Sequence, residues 1–185
     1  MKLEKPIFLI STRADKLAKA VKDSPKTVTV WIRTGPFKYK LPLIRSVIVY
    51  EAKSKPEAKD YTKRFVSVLT IPKTHTKLSI LKDISSNQVL QLLTYTKRDG
   101  FIRTRTHDYD FFKNKKSFLA WKVRGKVIYS LINRRGKLFG LIWFNKKRAN
   151  NPTQKPTVRI YQHARGKGLR KKFKEIVLTN YKLVH

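Results

Sequence analysis

The segment Val158-Arg-Ile-Tyr-Gln-His-Ala-Arg-Gly-Lys-Gly-Leu-Arg170 carries a strand, a turn and the first residues of a helix in close succession. β-Branched and aromatic residues favour a strand over Thr157–Gln162. Apolar residues at helical spacing favour an amphipathic helix over Gly168–Tyr181, namely Leu169, Phe173, Ile176, Val177 and Tyr181. Gly166 and Gly168 interrupt the turn between the two elements, where the backbone has to bend sharply.

This turn has the features of a phosphate-binding site. The first N–H groups of a helix lack intrahelical partners, and the helix N-terminus carries a partial positive charge. The two glycines leave room for a ligand beside the backbone, and three basic residues surround them, Arg165, Lys167 and Arg170. The turn is not a P-loop, since no Ser or Thr follows its Gly-Lys pair, and Lys171 stands where a dinucleotide fingerprint needs its third glycine. The alternative is a basic surface turn that only caps a core helix.

Upstream of this segment the sequence predicts one helix and several strands. Strands are assigned to Ser117–Val123, Lys126–Asn133 and Lys137–Phe144. The last two form a hairpin with Gly136 at the turn position that needs a positive φ. A helix is predicted from Asp83, its N-cap, to Lys97, and Asp99-Gly100 ends it. Residues 101–116 receive no assignment.

The N-terminal part is predicted to be a β-α-β unit followed by two more strands. The strands are assigned to Pro6–Ser11, Thr27–Arg33, Leu43–Tyr50 and Arg64–Ile71. Between the first two, a helix starts after Thr12 as N-cap and is closed by Pro25. The last two strands are expected to pair with each other, and the charged segment Lys53–Tyr61 with Pro56 is assigned to a loop.

The turn resembles the Q/R-x-x-G-x-G/A acetyl-CoA signature of the GNAT superfamily of N-acetyltransferases. The match runs over His163-Ala-Arg-Gly-Lys-Gly168, with His163 in place of the usual Gln or Arg. The hairpin Val127–Phe144, with Gly140 in its second strand, is similar to the strands that precede the cofactor strand in that family. The resemblance covers about residues 83–181.

This resemblance implies acetyl-CoA as cofactor and direct attack of a primary amine within a ternary complex. Backbone groups of Arg159, Ile160 and Tyr161 would hold the acetyl and pantetheine end. N–H groups of the turn would hold the pyrophosphate, from Arg165, Gly166, Lys167, Gly168, Leu169 and Arg170. Catalysis in such a site needs positioning, an oxyanion donor, and a base or water chain for the amine proton.

The chain departs from the family pattern after the motif helix, where a further strand, helix and hairpin normally follow. The strand that often supplies a Glu base, Lys137–Phe144, has no carboxylate. Three explanations stay open: a fragment, a degenerate relic that still binds CoA, or a circular permutation in which residues 6–33 supply the missing part. The permutation predicts that Pro6–Ser11 lies beside Val158–Gln162 in one sheet.

Few side chains are candidates for catalysis. His163 abuts the turn, although strand-end hydrogen bonding is favoured for it over proton transfer. Asp99 and Asp108 are the carboxylates that could recognise a substrate amine. No metal site is predicted, because the chain has no cysteine and its histidines do not share metal-ligand spacing, these being His75, His107, His163 and His185.

The chain is strongly basic, with 44 Lys and Arg against 11 Asp and Glu and a formal net charge of +33. Such a charge attracts polyanions, so the alternative function is a basic nucleic-acid-binding protein without catalysis. Aromatic residues alternate with lysines between Tyr109 and Lys122 and could stack bases, although a core role for them is favoured. The basic residues are spread along the chain rather than clustered, which weakens that alternative.

Composition favours a folded, non-membrane protein. Hydrophobic residues make up 41% of the 185 residues, so a core can form. No apolar run approaches ~20 residues, so no membrane-spanning helix is expected. The lack of cysteine and of a signal peptide favours a cytoplasmic location.

The expected fold is α+β, with a mixed, mostly antiparallel sheet flanked by helices. It would be of the acyl-CoA N-acyltransferase type, either permuted or truncated at its C-terminal end. Residues 1–80 would form a β-α-β-β portion able to complete the same sheet, and residues 81–185 the acetyl-CoA-binding portion. An N-acetyltransferase is the favoured function.

Overall fold

A computed structural model describes residues 6–11, 13–23, 28–34, 47–71, 74–145 and 156–184. The chain divides into two compact units, the first made of Met1–Arg64 with Arg134–Gly136 and the second of Phe65–Asn133 with Lys137–His185. Both contain helices and strands, so the α+β class predicted from the sequence is confirmed.

The first unit is built on a three-stranded parallel sheet. Its elements are β1 (Ile7–Ile10), α1 (Ala14–Asp23), β2 (Thr29–Thr34), β3 (Val47–Ala52) and α2 (Lys55–Arg64). The strands lie in the order β1-β2-β3, and both pairings are parallel. The predicted β-α-β unit is therefore present, while its predicted cap Thr12 and its terminator Pro25 lie outside the described residues.

A small apolar cluster joins α1 to this sheet. Leu17, Trp31 and Val47 are buried together. The indole Nε1 of Trp31 donates a 2.9 Å hydrogen bond to the carbonyl of Ser11, so the polar atom of the ring is satisfied. The apolar face of α1 therefore packs into the core of the first unit.

The segment Lys53–Tyr61 was expected to be a loop, and this prediction is wrong, because α2 begins at Lys55. Ser54 Oγ accepts a 3.3 Å hydrogen bond from the Glu57 backbone N–H, and the Glu57 carboxylate accepts one of 2.8 Å from the Lys53 N–H. This pattern is close to a capping box. Pro56 is tolerated because it lies in the first turn, where backbone N–H groups have no intrahelical partner.

The second unit is built on a five-stranded antiparallel sheet in the order β4-β5-β6-β7-β8. Its strands are β4 (Phe65–Thr70), β5 (Lys77–Lys82), β6 (Lys126–Ile132), β7 (Leu138–Asn145) and β8 (Thr157–Ile160). Its helices are α3 (Ser86–Arg98), α4 (Gly100–Arg105), α5 (Asp108–Phe111), α6 (Lys115–Lys122) and α7 (Leu169–Val184). Four short helices thus connect β5 to β6, and α7 follows β8.

The two faces of this sheet are covered by different helices. Val158 and Ile160 of β8 pack in one cluster with Phe173 and Val177 of α7, as predicted from the stripe on that helix. The other face is covered by a helical layer formed by α3–α6. There the Trp143 ring of β7 makes edge-on contacts, at centroid distances of 5.7 Å to Phe112 and 5.6 Å to Trp121. The strand β8 is therefore sandwiched between α7 and the layer formed by α3–α6.

Several element predictions in this unit are confirmed and others are wrong. The hairpin β6–β7 forms as expected, with Gly136 at φ 72°. The strand expected over Ser117–Val123 is instead α6, because Asn114 caps it through a 2.8 Å bond from the Ser117 N–H. Ser85 rather than Asp83 is the N-cap of α3. The strand β5 was not predicted, and residues 101–116, which had received no assignment, form α4, α5 and the start of α6.

The described strands form two sheets rather than the mixed sheet that was expected. β3 pairs with β2 and β4 with β5, so the predicted pairing of Leu43–Tyr50 with Arg64–Ile71 is wrong. β1 and β8 belong to different sheets, which contradicts the permutation hypothesis. The expected boundary near residue 80 falls instead between Arg64 and Phe65, because β4 and β5 pair into the second sheet. Among the described residues, no helix is long and apolar enough to cross a membrane.

Candidate functional site

The turn between β8 and α7 has the backbone conformation that the two glycines predict. The strand ends at Ile160, before the expected Gln162, and a 3₁₀ turn covers Gln162–Ala164. Gly166 and Gly168 have φ angles of 75° and 66°, a region that side chains with a Cβ rarely adopt. Apart from the glycine itself and its two chain neighbours, nothing lies within 4 Å of where a Cβ would stand at either residue, so the backbone of the turn borders open space.

A cavity of about 650 Å³ adjoins this turn. It is bordered by the turn itself, by the edge of β8 and by α4, which contributes Phe101 and Arg105. The residues predicted to hold a cofactor line the cavity, with the exception of Tyr161. They are Arg159, Ile160, Arg165, Gly166, Lys167, Gly168, Leu169 and Arg170. The volume is within the range of ordinary ligand pockets.

The outer edge of β8 faces this cavity. The Tyr161 N–H donates a 3.1 Å bond to the carbonyl of Phe139, on the side of β7. Because backbone groups alternate in direction along a strand, those of Ile160 point to the opposite side. The Ile160 carbonyl there accepts a 3.1 Å bond from Arg165 Nε. The Ile160 N–H points to this same side, beside the turn.

Arg165 anchors the turn to the helical layer. Its guanidinium is paired with the carboxylate of Asp99, whose side chain is only 5% exposed. The other oxygen of Asp99 accepts a 3.3 Å bond from the Ile102 N–H and so caps α4. The Arg165 side chain also lies over the Phe101 ring at 5.2 Å. It was expected to add charge to a phosphate site, but its charge is largely balanced by Asp99.

A second ion pair links the helical layer to β8. Arg159 donates two hydrogen bonds to Asp108, one of 2.9 Å from Nη2, and lies over the Trp143 ring at 5.4 Å. The Asp108 side chain is 6% exposed. Both carboxylates proposed to recognise an amine, Asp99 and Asp108, are therefore engaged by arginines in the structure.

The remaining positive charge of the cavity is not balanced. Four cationic side chains border it without an ion pair to any described residue, namely Arg105, Lys167, Arg170 and Lys171. Lys167 Nζ lies 5.4 Å from the centre of the Phe139 ring, and the four residues are exposed. Within the described part of the chain, the cavity lining includes no carboxylate. This environment favours an anionic ligand.

His163 and Tyr161 line a different cavity, of about 410 Å³, near the C-terminal end of α3. The His163 ring packs against Tyr95 and Phe139, with centroids 5.0 and 5.1 Å away. Burial, with a smaller contribution from Lys137, lowers the pKa of His163 below its ordinary value. The lowered pKa favours the neutral form of the ring. Burial raises the pKa of Tyr161. Neither side chain lines the cavity beside the turn.

Sequence reasoning missed the contribution of α4. Phe101 and Arg105 fall in the segment that received no assignment, and no motif marks them. The buried pairs of Asp99 and Asp108 were also missed, because the partners lie 66 and 51 residues away in the chain. Among the described residues, no group of three acidic, His or Cys side chains could hold a metal ion.

Comparison with known proteins identifies no relative of this chain. No protein-family model matches the sequence, no curated protein matches it, and no solved structure matches it.

Proposed function

We propose that the cavity beside the β8–α7 turn binds acetyl-CoA and that the protein transfers the acetyl group to a primary amine. The proposal rests on four features that border one cavity: a glycine turn, the N-terminus of α7, cations that have no ion pair among the described residues, and the backbone edge of β8. The glycine turn, the helix N-terminus and the cations are the features that bind a pyrophosphate. The backbone edge of β8 would bind the pantetheine chain, which carries two amide groups.

The strand order of the second unit also supports this reading. An antiparallel hairpin, then β8, then the turn, then α7 follow one another as the GNAT resemblance implies. Arg165 is well placed to fix the turn because its side chain is held by Asp99 and Ile160.

The proposed reaction needs little from side chains. Acetyl-CoA would supply a thioester when bound: the amine nitrogen would form the new C–N bond as the C–S bond breaks, and the proton lost by the amine would end on the departing CoA thiolate. The backbone of Ile160 at the outer edge of β8 would position the thioester beside α4. Asp99 and Asp108 are held in ion pairs, so proton removal is assigned to a water chain rather than to a side chain.

Calorimetric titration with acetyl-CoA at about 0.15 M salt tests the proposal, because exposed charges are screened beyond ~8 Å. Gly168→Asp adds a carboxylate to the turn, and Gly168→Asn adds a neutral side chain of the same shape. Both residues tolerate positive φ better than other non-glycine residues. We expect saturable one-to-one binding by the natural protein, with affinity at least tenfold lower in Gly168→Asp than in Gly168→Asn.

Equal affinities in the two variants would mean that the turn does not contact an anion. If the folded natural protein does not bind acetyl-CoA, the turn only caps α7 and the proposal is wrong. Acetyl-pantetheine, which lacks the pyrophosphate, serves as a ligand control and should bind far more weakly than acetyl-CoA.

A further inference from the structure

The exposed aromatic side chains of the described residues all lie in one short segment. They are Phe101, Tyr109 and Phe111, with 58%, 41% and 37% of their surface exposed. The neighbouring aromatics Phe112, Phe118 and Trp121 are buried and form the core of the helical layer. The aromatic-rich stretch seen in the sequence thus divides into core residues and a separate exposed group.

Residues 97–116, which include this segment, are densely basic and have almost no exposed acidic side chain. Asp99 and Asp108 are buried and neutralised by arginines from outside the segment, which leaves Asp110 as its exposed carboxylate. Exposed cations flank the aromatics on both sides, at Lys97, Arg98, Arg103, Arg105, Lys113, Lys115 and Lys116. None of them forms an ion pair with a described residue.

We infer that exposed side chains on α4, on α5 and directly after α5 bind single-stranded nucleic acid, namely Phe101, Arg105, Tyr109, Phe111 and Lys113. Aromatic faces stack on bases, and cations beside them hold the phosphates. A net charge of +33 supplies long-range attraction for a polyanion. Bases in a duplex are already stacked, so a single strand is the form that can use these rings. An apolar protein partner would be opposed by the surrounding cations.

Phe101 and Arg105 also border the cavity beside the turn. Phe101 is already covered in part by Arg165, at 5.2 Å. The test of the inference does not depend on the proposed acetyl transfer, since the two residues that it changes, Tyr109 and Phe111, do not border the cavity.

Fluorescence anisotropy with a labelled single-stranded oligonucleotide of about 15 nucleotides tests the inference, a length that spans the usual site size. The variant Tyr109→Leu with Phe111→Leu keeps apolar bulk and charge while it removes both aromatic faces. Leu90→Ala with Leu119→Ala is the matched control, because both leucines are exposed in the same helical layer. At about 0.15 M salt we expect affinity to fall about tenfold or more in the first variant and to stay unchanged in the control.

The salt dependence should have the same slope in all three proteins, because no cation is removed. Unchanged affinity in the aromatic variant would overturn the inference. So would equal competition by a duplex of the same length or by polyglutamate, since either result indicates general polyanion binding. The aromatic variant should still bind acetyl-CoA like the natural protein, so failure of this surface and failure of the cofactor site give different results.

Discussion

Gly140 lies opposite Ile160 in the ladder between β7 and β8. A Cβ at residue 140 would stand 2.8 Å from the Arg159 carbonyl oxygen and 2.8 Å from the Ile160 Cδ1. The backbone oxygen cannot move without shifting β8, the strand whose edge faces the cavity. We therefore expect Gly140→Ala to lower the free energy of unfolding by about 1–3 kcal/mol, as overpacking usually does.

Gly100→Ala is the matched control for this prediction. Gly100 begins α4, and nothing lies within 4 Å of the position of its missing Cβ. The change should be neutral or stabilise by up to ~1 kcal/mol because alanine favours a helix. Urea denaturation of the two variants gives the comparison, and equal stability of Gly140→Ala and the natural protein would show that β8 does not pack as described.

At the residue scale, the sequence predicted the parts of the site that depend on local backbone geometry. Gly166 and Gly168 were recognised because a turn before an amphipathic helix needs residues that accept positive φ. The role of Arg165 could not be predicted in the same way. Its charge was assigned to a ligand, because nothing in the local sequence indicates that Asp99, far along the chain, would be its partner.

At the scale of elements, the Arg159–Asp108 pair fastens α5 to β8. Asp108→Asn keeps the shape of the side chain and removes its charge, which leaves a largely buried guanidinium without a counter-ion. We expect a loss of the order of 3 kcal/mol in the free energy of unfolding, measured by urea denaturation.

Asp83→Asn provides the comparison, because Asp83 is 44% exposed and pairs with Lys122 at 2.7 Å. Asn is tolerated at the φ of 67° found there. The free energy of unfolding lost in Asp83→Asn should stay below about 1 kcal/mol, as for other solvent-exposed pairs. Similar losses in the two variants would contradict the claim that the pair of Asp108 is the buried, structurally important one.

Predictions of helices and strands were correct where hydrophobic periodicity and turn signals agreed. They were wrong where a side-chain N-cap determined that a short segment forms a helix. The hairpin β6–β7 and the helix α7 have strong patterns of both kinds. The helices α2 and α6 were missed because their starts depend on Ser54 with Glu57 and on Asn114, within short and highly charged segments. The helix α6 also contains Phe118 and Trp121, whose aromatic character suggested a strand, although their spacing places both on one helical face.

At the scale of the whole molecule, like charges repel one another throughout the chain. With a net charge of +33, we expect thermal stability to rise as sodium chloride increases from about 0.01 M, where the Debye length is ~30 Å, to about 0.15 M, where it is ~8 Å. Thermal unfolding followed by circular dichroism measures the effect. A midpoint that falls with salt would mean that attractive ion pairs outweigh the repulsion.

The two-sheet organisation was beyond what the sequence alone could predict. Strands β3 and β4 were both identified approximately, yet their partners depend on long-range contacts rather than on local patterns. The strand β5 was not predicted because its buried run is only four residues long and has a lysine at each end, Lys77 and Lys82. Without β5, the hairpin β4–β5 could not be recognised as part of the second unit, and the boundary was placed too late.

The buried pairs of Asp99 and Asp108 also affect how the chain acquires its structure during translation. A ribosome synthesises both aspartates well before it reaches Arg159 and Arg165, which neutralise them. Until those arginines emerge, closing the helical layer would bury two uncompensated carboxylates. The helical layer therefore gains the counter-ions of both carboxylates only when β8 and its turn have been made, and burying these carboxylates earlier carries a free-energy cost.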